Sequence, residues 1–127
     1  KRQSLNFAAV RELPILFVCE NNLYSVYSSL SCRQPGEREI FKVAQSMGIN
    51  ALKMDGNDTT LLQENLKPIV NKIRATSKPS FIEFDTYRFR EHCGPNFDDN
   101  LNYRNEEELN ESRTKRGLSD AIIKAGA

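Results

Sequence analysis

The sequence lacks both an excess of charge of one sign and any long run of apolar residues. Its 18 basic residues are scattered among 17 acidic ones, which leaves a net charge of +1 and no electrostatic footprint for nucleic acid or an anionic membrane. The longest apolar stretch, residues 13–19, is too short to cross a bilayer, and no charged leader precedes a signal-like segment. We therefore expect a soluble, intracellular protein.

The sequence has few cysteines and no initiating methionine. Cys19, Cys32 and Cys93 cannot all pair with one another, and none stands in a CxxC or cysteine–histidine spacing, so a zinc site is not expected. Residues 1–4 lead into helix-like sequence without an initiating methionine. We expect a fragment, or a reading frame that begins inside a gene.

The residues that are present fit one globular domain with a modest core, since 39% are hydrophobic and 28% are charged. Apolar residues recur with helical spacing in some segments and form short strand-like runs in others. The predicted helices cover 4–12, 37–47 and a segment from Thr60 to about Ile73; the predicted strands cover 13–19, 50–54 and 80–87; loops are predicted at 24–36 and 90–104, and a further helix is predicted to begin at Asn105.

Several residues predict where these helices end. Gly48 is placed to end the second helix, and Thr60 with Gln63 matches a capping box at the start of the third. Pro68 is expected to bend that third helix. Strand 13–19 is continuously apolar, which is typical of a strand that is buried on both faces of a parallel sheet.

The alternation of helices and strands predicts a doubly wound α/β layer with a parallel sheet and right-handed crossovers. In such folds ligands bind outside the carboxyl ends of the strands. In this sequence those ends correspond to residues 20–24, 55–58 and 86–99. We therefore expect any binding site to be built from these three segments.

Two polar segments at these ends allow more than one interpretation. Asn21 and Asn22 follow the first strand directly, and their amide oxygens are hard donors of the kind that magnesium prefers. Asparagine is equally common in simple turns, so a plain turn is the alternative. Residues 55–58 are explained by turn and capping chemistry without any ligand.

Longer stretches carry a resemblance to a known family. Residues 4–9 and 13–24, which end in Glu-Asn-Asn-Leu-Tyr, are followed in order by 54–58 and by Ser-Phe-Ile-Glu-Phe-Asp-Thr-Tyr-Arg at 80–88. These segments resemble the alpha subunits of thiamine-diphosphate-dependent 2-oxo acid dehydrogenases, which act on pyruvate or branched-chain 2-oxo acids. The resemblance implies that residues 1–111 are the carboxyl-terminal half of a thiamine-diphosphate-binding domain, with 112–127 as a poorly matched tail.

The resemblance also implies a metal site. The side chain of Asn22 and the backbone carbonyl of Tyr24 would coordinate the Mg²⁺ that bridges the diphosphate of thiamine diphosphate. The family motif begins with Gly-Asp-Gly, whose aspartate is another metal ligand, and that half would lie upstream of Lys1. The fold that the resemblance implies is part of the doubly wound parallel sheet of thiamine-diphosphate-binding proteins.

The segment around the only histidine resembles the start of the family's active-site loop. A lone histidine is more often incidental than catalytic, but its ordinary pKa of about 6.5 suits proton transfer near neutral pH. The resemblance implies that His92 lies against the cofactor and is catalytic, and that Arg88 helps to order the loop as part of the cofactor site. Cys93 stands where mitochondrial members have a phosphorylatable serine, so phosphorylation control is not implied here.

The family reaction is oxidative decarboxylation of a 2-oxo acid, with transfer of the acyl unit to a lipoyl group on an acyltransferase. The resemblance therefore implies three partners: a beta subunit, the lipoyl-bearing acyltransferase and a 2-oxo acid whose identity stays open. It also implies a location in the cytoplasm, or in the mitochondrial matrix of a eukaryote. The chain is then a piece of such an enzyme. Two alternatives remain: a non-catalytic assembly module that forms one half of a site, and a truncated gene product.

Overall fold

The computed structural model describes residues 2–104 together with residues 107 and 110. The helix predicted to begin at Asn105 starts outside the described residues, and so does the predicted tail at 112–127. The chain divides into two compact units, one ending at Thr86 and the other beginning at Tyr87. All the longer helices and strands of the described residues belong to the first unit.

Helices and strands alternate along the first unit, as the sequence predicted. Three of its strands form one sheet, and two very short strands pair as an antiparallel hairpin. The helices are α1 (Arg2–Val10), α2 (Ile40–Gln45) and α3 (Thr59–Thr76); the strands are β1 (Leu16–Asn21), β2 (Tyr24–Ser25), β3 (Ser28–Ser29), β4 (Asn50–Asp55) and β5 (Ser80–Asp85).

The main sheet has the order β1-β5-β4, and both of its strand pairs are parallel. From β1 the chain passes through α2 to the far strand β4 and then returns through α3 to the central strand β5. Parallel strands need such crossover connections because a tight turn cannot join them. The sheet confirms the predicted fold class, an α/β layer with part of a parallel sheet.

Helices cover both faces of this sheet. On one face Leu5 of α1 and Ala44 of α2 pack with Phe81 of β5. On the other face Ile73 of α3 packs with Ile82 of β5, which has no exposed surface. Because successive strand residues point to opposite faces, the apolar pair at 81 and 82 serves both cores at once.

The first strand differs from its prediction. It begins at Leu16, not at residue 13, because Leu13 completes the end of α1 by donating its N–H to the Ala8 carbonyl at 3.0 Å. Pro14 then offers no N–H for pairing. The prediction that this strand is buried on both faces is wrong, since β1 is an edge strand of the described sheet and Val18 is 53% exposed.

The segment predicted as a loop at 24–36 contains regular structure. Strands β2 and β3 form a hairpin there, with Val26 in the left-handed region at φ 57°, and a 3₁₀ helix follows at Leu30–Cys32. Helix α2 is shorter than the predicted 37–47 because a turn occupies residues 35–38 before it. Gly48 adopts φ 77° just after α2, as predicted for a residue that ends a helix.

The start of α3 also differs from its prediction. Asp58, and not Thr60, is the N-cap, and its side chain accepts hydrogen bonds from the N–H groups of Thr60 and Leu61. The predicted capping box is therefore wrong, because an aspartate two residues earlier takes this role. Pro68 lies inside α3.

No helix in the described part of the chain is both long and apolar enough to span a bilayer.

Candidate functional site

The carboxyl ends of the three parallel strands meet at one edge of the sheet. In the strand register Asn21 of β1 and Asp55 of β4 both stand opposite Asp85 of β5. The N–H of Gly56 donates to the Asp85 carbonyl at 2.8 Å, and Lys53 forms an ion pair with the Asp85 carboxylate at 3.1 Å. The structure thus brings two of the three predicted site segments, 20–24 and 55–58, to the same edge.

Two successive asparagine turns lead the chain out of β1. The Oδ1 atom of Asn21 accepts the N–H of Leu23 at 3.1 Å, and Oδ1 of Asn22 accepts the N–H of Tyr24 at 3.0 Å. Leu23 lies in the left-handed region at φ 67°, where a bulky residue is rare. Short asparagine side chains make this turn possible because they replace hydrogen bonds that the backbone would otherwise form.

A buried glutamate holds this turn from the side. Glu83, in the middle of β5, is only 2% exposed. Its Oε1 accepts the Asn21 side-chain N–H at 2.7 Å, and its Oε2 accepts the backbone N–H of Phe41 at 2.9 Å. A buried carboxylate is costly unless donors meet both oxygens, and here the turn and α2 provide one donor each. Glu83 therefore links β1, β5 and α2.

Sequence reasoning missed this role of Glu83. The signal was present, because a carboxylate interrupts the apolar run of β5 between Ile82 and Phe84. Such a residue on the buried face of a strand needs a partner. The sequence alone does not say which donor, since Asn21 lies 62 positions away along the chain.

The Asn22 turn fits part of a magnesium site. Oδ1 of Asn22 uses one lone pair on the Tyr24 N–H, and a carbonyl-type oxygen has a second. Magnesium takes six oxygen ligands in octahedral geometry, so Asn22 and the Tyr24 carbonyl would supply a minority of the set. Among the described residues no group of three or more His, Cys, Asp or Glu side chains is arranged to hold a metal ion.

Residues 55–58 have local structural roles. Asp55 accepts the backbone N–H of Asn57 at 2.9 Å, and Asp58 caps α3. A Cβ on Gly56 would lie 2.8 Å from the side-chain carbons of Phe84 and Thr86, so only glycine fits against β5. These contacts agree with the turn and capping interpretation of this segment.

The second unit contains a charged cluster that sequence reasoning also missed. Asp98, whose side chain is fully buried, accepts hydrogen bonds from Arg88 at 3.3 Å, from Arg104 at 3.0 Å and from the Tyr103 hydroxyl at 2.6 Å. Arg104 also donates to the Arg88 carbonyl at 2.8 Å. The two ends of the segment 88–104 are thereby fastened together.

The aromatic rings around Arg104 complete this cluster. The guanidinium carbon lies 4.6 Å from the centroid of the Tyr87 ring and 4.6 Å from that of Tyr103. A cation between two ring faces is stabilised by their negative electron density. Asp98 was predicted only as one of several loop residues, because an aspartate among aspartates and asparagines is typical of turns.

The cluster shifts the proton equilibria of its members. Burial pushes the pKa of Asp98 up, but the Tyr103 hydrogen bond and the nearby Arg104 and Arg88 charges outweigh it, so this pKa is lowered. Burial, and then the hydrogen bond to Asp98, raise the pKa of Tyr103 to about 12. The carboxylate and the neutral phenol are therefore the stable forms at neutral pH.

His92 lies at an exposed turn between the two halves of a small hairpin-like loop. The Glu91 N–H donates to the Asn96 carbonyl at 3.0 Å, and the Asn96 side chain donates back to Glu91 at 2.9 Å. Arg90 stacks on Phe97 with its guanidinium carbon 3.9 Å from the ring centroid. The loop thus presents His92 to the outside.

The predicted site residues are therefore shared between the two units. Asn22 and Tyr24 belong to the first unit, while Arg88 and His92 belong to the second. Arg88 is held by Asp98 and Tyr103, both of which sequence reasoning left unassigned. The structure explains how each pair is positioned within its own unit.

Comparisons with a family model and with individual known proteins point to the same family. A family model described as the dehydrogenase E1 component matches residues 2–127. The pyruvate dehydrogenase E1 component subunit alpha of Rickettsia typhi is 33% identical over 107 residues, which are 84% of this chain and 32% of that protein. The human testis-specific mitochondrial form is 36% identical over 121 residues, 95% of this chain and 29% of that protein.

A plant relative shows the same relationship. The alpha-3 chloroplastic subunit of Arabidopsis thaliana is 38% identical over 90 residues, 71% of this chain and 21% of that protein. The chain spans a third or less of the length of these curated relatives. Since the family model covers all but the first residue, the chain belongs to the dehydrogenase E1 component family, among the relatives of pyruvate dehydrogenase alpha subunits.

Proposed function

We propose that this chain is part of the alpha subunit of a thiamine-diphosphate-dependent 2-oxo acid dehydrogenase. The parent enzyme decarboxylates a 2-oxo acid oxidatively and passes the acyl unit to a lipoyl group on an acyltransferase, in partnership with a beta subunit. The observation that supports this most directly is the double asparagine turn at Asn21–Tyr24. It places oxygen donors at the carboxyl end of a parallel strand, where such folds bind ligands.

In this proposal the first unit holds the metal. The Asn22 side-chain oxygen and the Tyr24 carbonyl would hold the Mg²⁺ that accompanies the cofactor. Glu83 keeps Asn21 in place, so the turn that carries both ligands stays closed. When bound, thiamine diphosphate supplies the electron sink for loss of carbon dioxide, and the protein orients it.

The second unit provides the acid–base group. His92 holds or moves a proton beside the reacting atoms, and Arg88 contributes to the cofactor site by keeping the loop in shape. Asp98 anchors Arg88 from within the unit. The charged cluster therefore fixes the end of the loop that carries His92, without contacting His92 itself. The exposed position of His92 suits a residue that contacts a cofactor at the protein surface.

The chain is an incomplete binding site in this proposal. Its 127 residues contain no Gly-Asp-Gly, and the resemblance assigns another metal ligand to that motif. Residues 1–111 form the cofactor-binding part, and the match of the family model continues beyond them to residue 127. We place the parent enzyme in the cytoplasm, or in the mitochondrial matrix of a eukaryote.

Calorimetric titration tests the proposal. The isolated chain should bind thiamine diphosphate and Mg²⁺ weakly, because two oxygen ligands cannot complete an octahedral site. Joined to the rest of an alpha subunit and its beta partner, the same chain should bind both tightly. Tight stoichiometric binding by the isolated chain would show that this account of Asn22 is wrong. A lack of binding by the assembled enzyme would refute the proposed function itself.

A further inference from the structure

Among the described residues of the first unit, Glu83 is the one charged side chain that is buried. It shares a face of β5 with Phe81, which packs there with residues of α1 and α2. Burying a carboxylate is costly, and an apolar residue at this position would avoid that cost. The carboxylate therefore points to a role other than packing.

Glu83 determines which way the side-chain amide of Asn21 faces. A carboxylate only accepts hydrogen bonds, so the amide turns its N–H towards the Oε1 atom of Glu83, which lies 2.7 Å away. The amide oxygen of Asn21 then points to the backbone N–H of Leu23, which it accepts at 3.1 Å. A neutral side chain that also offered a donor at position 83 would allow the amide to face either way.

The Asn21–Tyr24 turn needs this outside support because its backbone is strained. Leu23 stands between the two proposed ligand residues and lies in the left-handed region at φ 67°. A bulky residue persists in that region only where the surrounding contacts fix it. Leu23 is fixed on one side by Asn21 and on the other by the Leu30 N–H, which donates to its carbonyl at 2.7 Å. Loss of the Asn21 contact would therefore let the turn relax.

The second oxygen of Glu83 fixes the carboxylate itself. Its Oε2 atom accepts the backbone N–H of Phe41 at 2.9 Å, and the helix α2 that carries Phe41 packs into the core through Ala44. The carboxylate cannot rotate away from Asn21 without breaking this bond. The packed core therefore sets the orientation of Glu83, and Glu83 sets the orientation of Asn21.

We propose that Glu83 is a positioning residue for the metal. It holds the Asn21 amide in the orientation that closes the turn carrying Asn22 and Tyr24, and it thereby sets the affinity of this site for Mg²⁺. The inference rests on the proposed function for the identity of the metal and the cofactor. Residues that orient metal ligands typically change metal affinity by about 10- to 100-fold when they are replaced. Because Glu83 acts through the turn, turnover at saturating metal should not depend on it.

Amide hydrogen exchange on the chain itself measures the hold on the turn. In Glu83→Gln a donor can face the Asn21 amide, so the N–H groups of Leu23 and Tyr24 should exchange at least about tenfold faster than in the parent. The N–H of Gly56, which is bonded at the end of the neighbouring β4–β5 pair, should not change. Unchanged exchange in the turn would overturn the proposal.

Binding of Mn²⁺, which takes the same oxygen ligands as Mg²⁺, measures the effect on the site. The protein is the enzyme assembled with the remaining alpha polypeptide and the beta subunit, with thiamine diphosphate present. Electron paramagnetic resonance should show Mn²⁺ binding weakened by about 10- to 100-fold in Glu83→Gln. Turnover at saturating Mg²⁺ and cofactor should stay within about twofold of the parent. A loss of turnover that excess metal cannot restore would contradict a role in positioning alone.

A matched control removes a different hydrogen bond of the same helix. The Gln45 side chain donates to the Ala51 carbonyl of β4 at 2.9 Å, away from the turn. Gln45→Ala should lower the free energy of unfolding and leave Mn²⁺ affinity unchanged. If Gln45→Ala weakened Mn²⁺ binding as much as Glu83→Gln does, general stability would explain both effects and the proposal would be wrong.

Exchanging the donor and the acceptor guards against a variant that fails to fold. In the double variant Asn21→Asp/Glu83→Gln the new amide donates to the new carboxylate, which still accepts the Leu23 N–H, and the net charge is kept. Most of the Mn²⁺ affinity should return. Failure of the double variant to recover affinity would overturn the proposal.

The single variant Asn21→Asp separates orientation from charge. It adds a negative charge beside the proposed metal, but it also sets two carboxylates against each other, so it should weaken Mn²⁺ binding relative to the double variant. Tighter binding by Asn21→Asp alone than by the parent would show that charge, and not the orientation of the turn, sets the affinity.

The outcomes also separate this inference from the proposed function. If the assembled parent enzyme binds neither Mn²⁺ nor thiamine diphosphate, the function and the metal role of Glu83 fall together, whatever the amide exchange of the turn shows. If the parent binds both and Glu83→Gln binds Mn²⁺ equally well, the function stands and the inference fails.

Discussion

Two buried carboxylates, one in each unit of the chain, are satisfied in opposite ways. Glu83 is 2% exposed and accepts hydrogen bonds from neutral groups, the Asn21 amide and the Phe41 N–H. Asp98 is 1% exposed and is met by the guanidinium groups of Arg88 and Arg104. The first unit thus uses dipoles to hold a carboxylate, and the second uses opposite charges.

The difference determines what each carboxylate can hold in place. Glu83 joins elements that the hydrophobic core already brings together, so it adjusts the position of the Asn21–Tyr24 turn within a packed sheet. The segment around Asp98 has little regular structure, since its described part contains one short 3₁₀ helix, Asp99–Leu101, and an isolated bridge between Arg90 and Phe97. There the ionic cluster itself is the main fastening.

Removing the charge of Asp98 should have the largest effect on structure. Asp98→Asn leaves two guanidinium groups facing each other beneath the surface, and breaking a buried ion pair in this way costs about 3–5 kcal/mol. We expect the segment 88–104 to open and become sensitive to protease. Limited proteolysis with mass spectrometry measures this, with Asp55→Asn as the control because that carboxylate is exposed. If the loop of Asp98→Asn resists protease like the parent, the cluster is not its fastening.

A kinetic measurement can distinguish the role proposed for the first unit from the role proposed for the second. In the enzyme assembled with the remaining alpha polypeptide and the beta subunit, His92→Ala should lower turnover at saturating cofactor by about 10²–10⁴-fold, as for other positioned acid–base groups. Asn22→Ala should instead weaken cofactor binding, a defect that excess cofactor and Mg²⁺ reduce. Turnover is measured across a thiamine diphosphate titration at low and high Mg²⁺.

The exposed neighbour of His92 supplies the control for this experiment. Cys93→Ala changes the same loop without touching the proposed acid–base group, so it should retain turnover. Full turnover by His92→Ala would show that the histidine is incidental. A defect in Asn22→Ala that excess Mg²⁺ and cofactor cannot relieve would contradict its role as a metal ligand.

A smaller effect is expected where neutral donors hold the carboxylate. In Glu83→Gln the amide nitrogen must face either the Asn21 side chain or the Phe41 N–H, so one donor meets another donor. One unsatisfied buried group costs about 1–3 kcal/mol. Urea unfolding measures the loss, and Glu64→Gln on the exposed side of α3 is the control. An unchanged free energy of unfolding would mean that water or a rotated side chain replaces the lost contact.

Local patterns predicted the parts of this structure that depend on neighbouring residues. The parallel sheet was predicted because continuous apolar runs alternate with helical spacing, and Gly48 marked the end of α2. The turn interpretation of Asn21 and Asn22 was also correct in its local chemistry. Even the error at α3 was local, since Asp58 and Thr60 are both good capping residues and only geometry selects between them.

Contacts between positions far apart along the chain could not be predicted from the sequence. Glu83 bonds to Asn21 across 62 positions and to Phe41 across 42, and nothing in either neighbourhood specifies the partner. The exposure of β1 was missed for a related reason. The sequence of a strand reports the environment for which it is suited, whereas its edge position depends on which other strands are present.

The smallest and most specific effect concerns the hydroxyl of Tyr103. Tyr103→Phe removes one hydrogen bond to Asp98 and should cost about 1 kcal/mol at neutral pH, less than Asp98→Asn because both guanidinium groups keep their carboxylate. The phenol pKa is raised to about 12 in the folded chain from an ordinary 10.0. Stability from this group is therefore complete below about pH 10 and lost as pH rises towards 12.

Asp98 of the same cluster gives stability a pH dependence of the opposite sign to that of Tyr103. The folded pKa of Asp98 is lowered from 3.8, so its contribution is complete above that value and disappears as pH falls through the folded pKa. Urea unfolding and tyrosinate absorbance from about pH 3 to about pH 12 measure both limits. Tyr103→Phe should abolish the late tyrosine titration and the alkaline loss of stability that depends on it, while the acid loss remains. If the alkaline loss survived in Tyr103→Phe, another group would be responsible for it, and the phenol would not be part of the fastening.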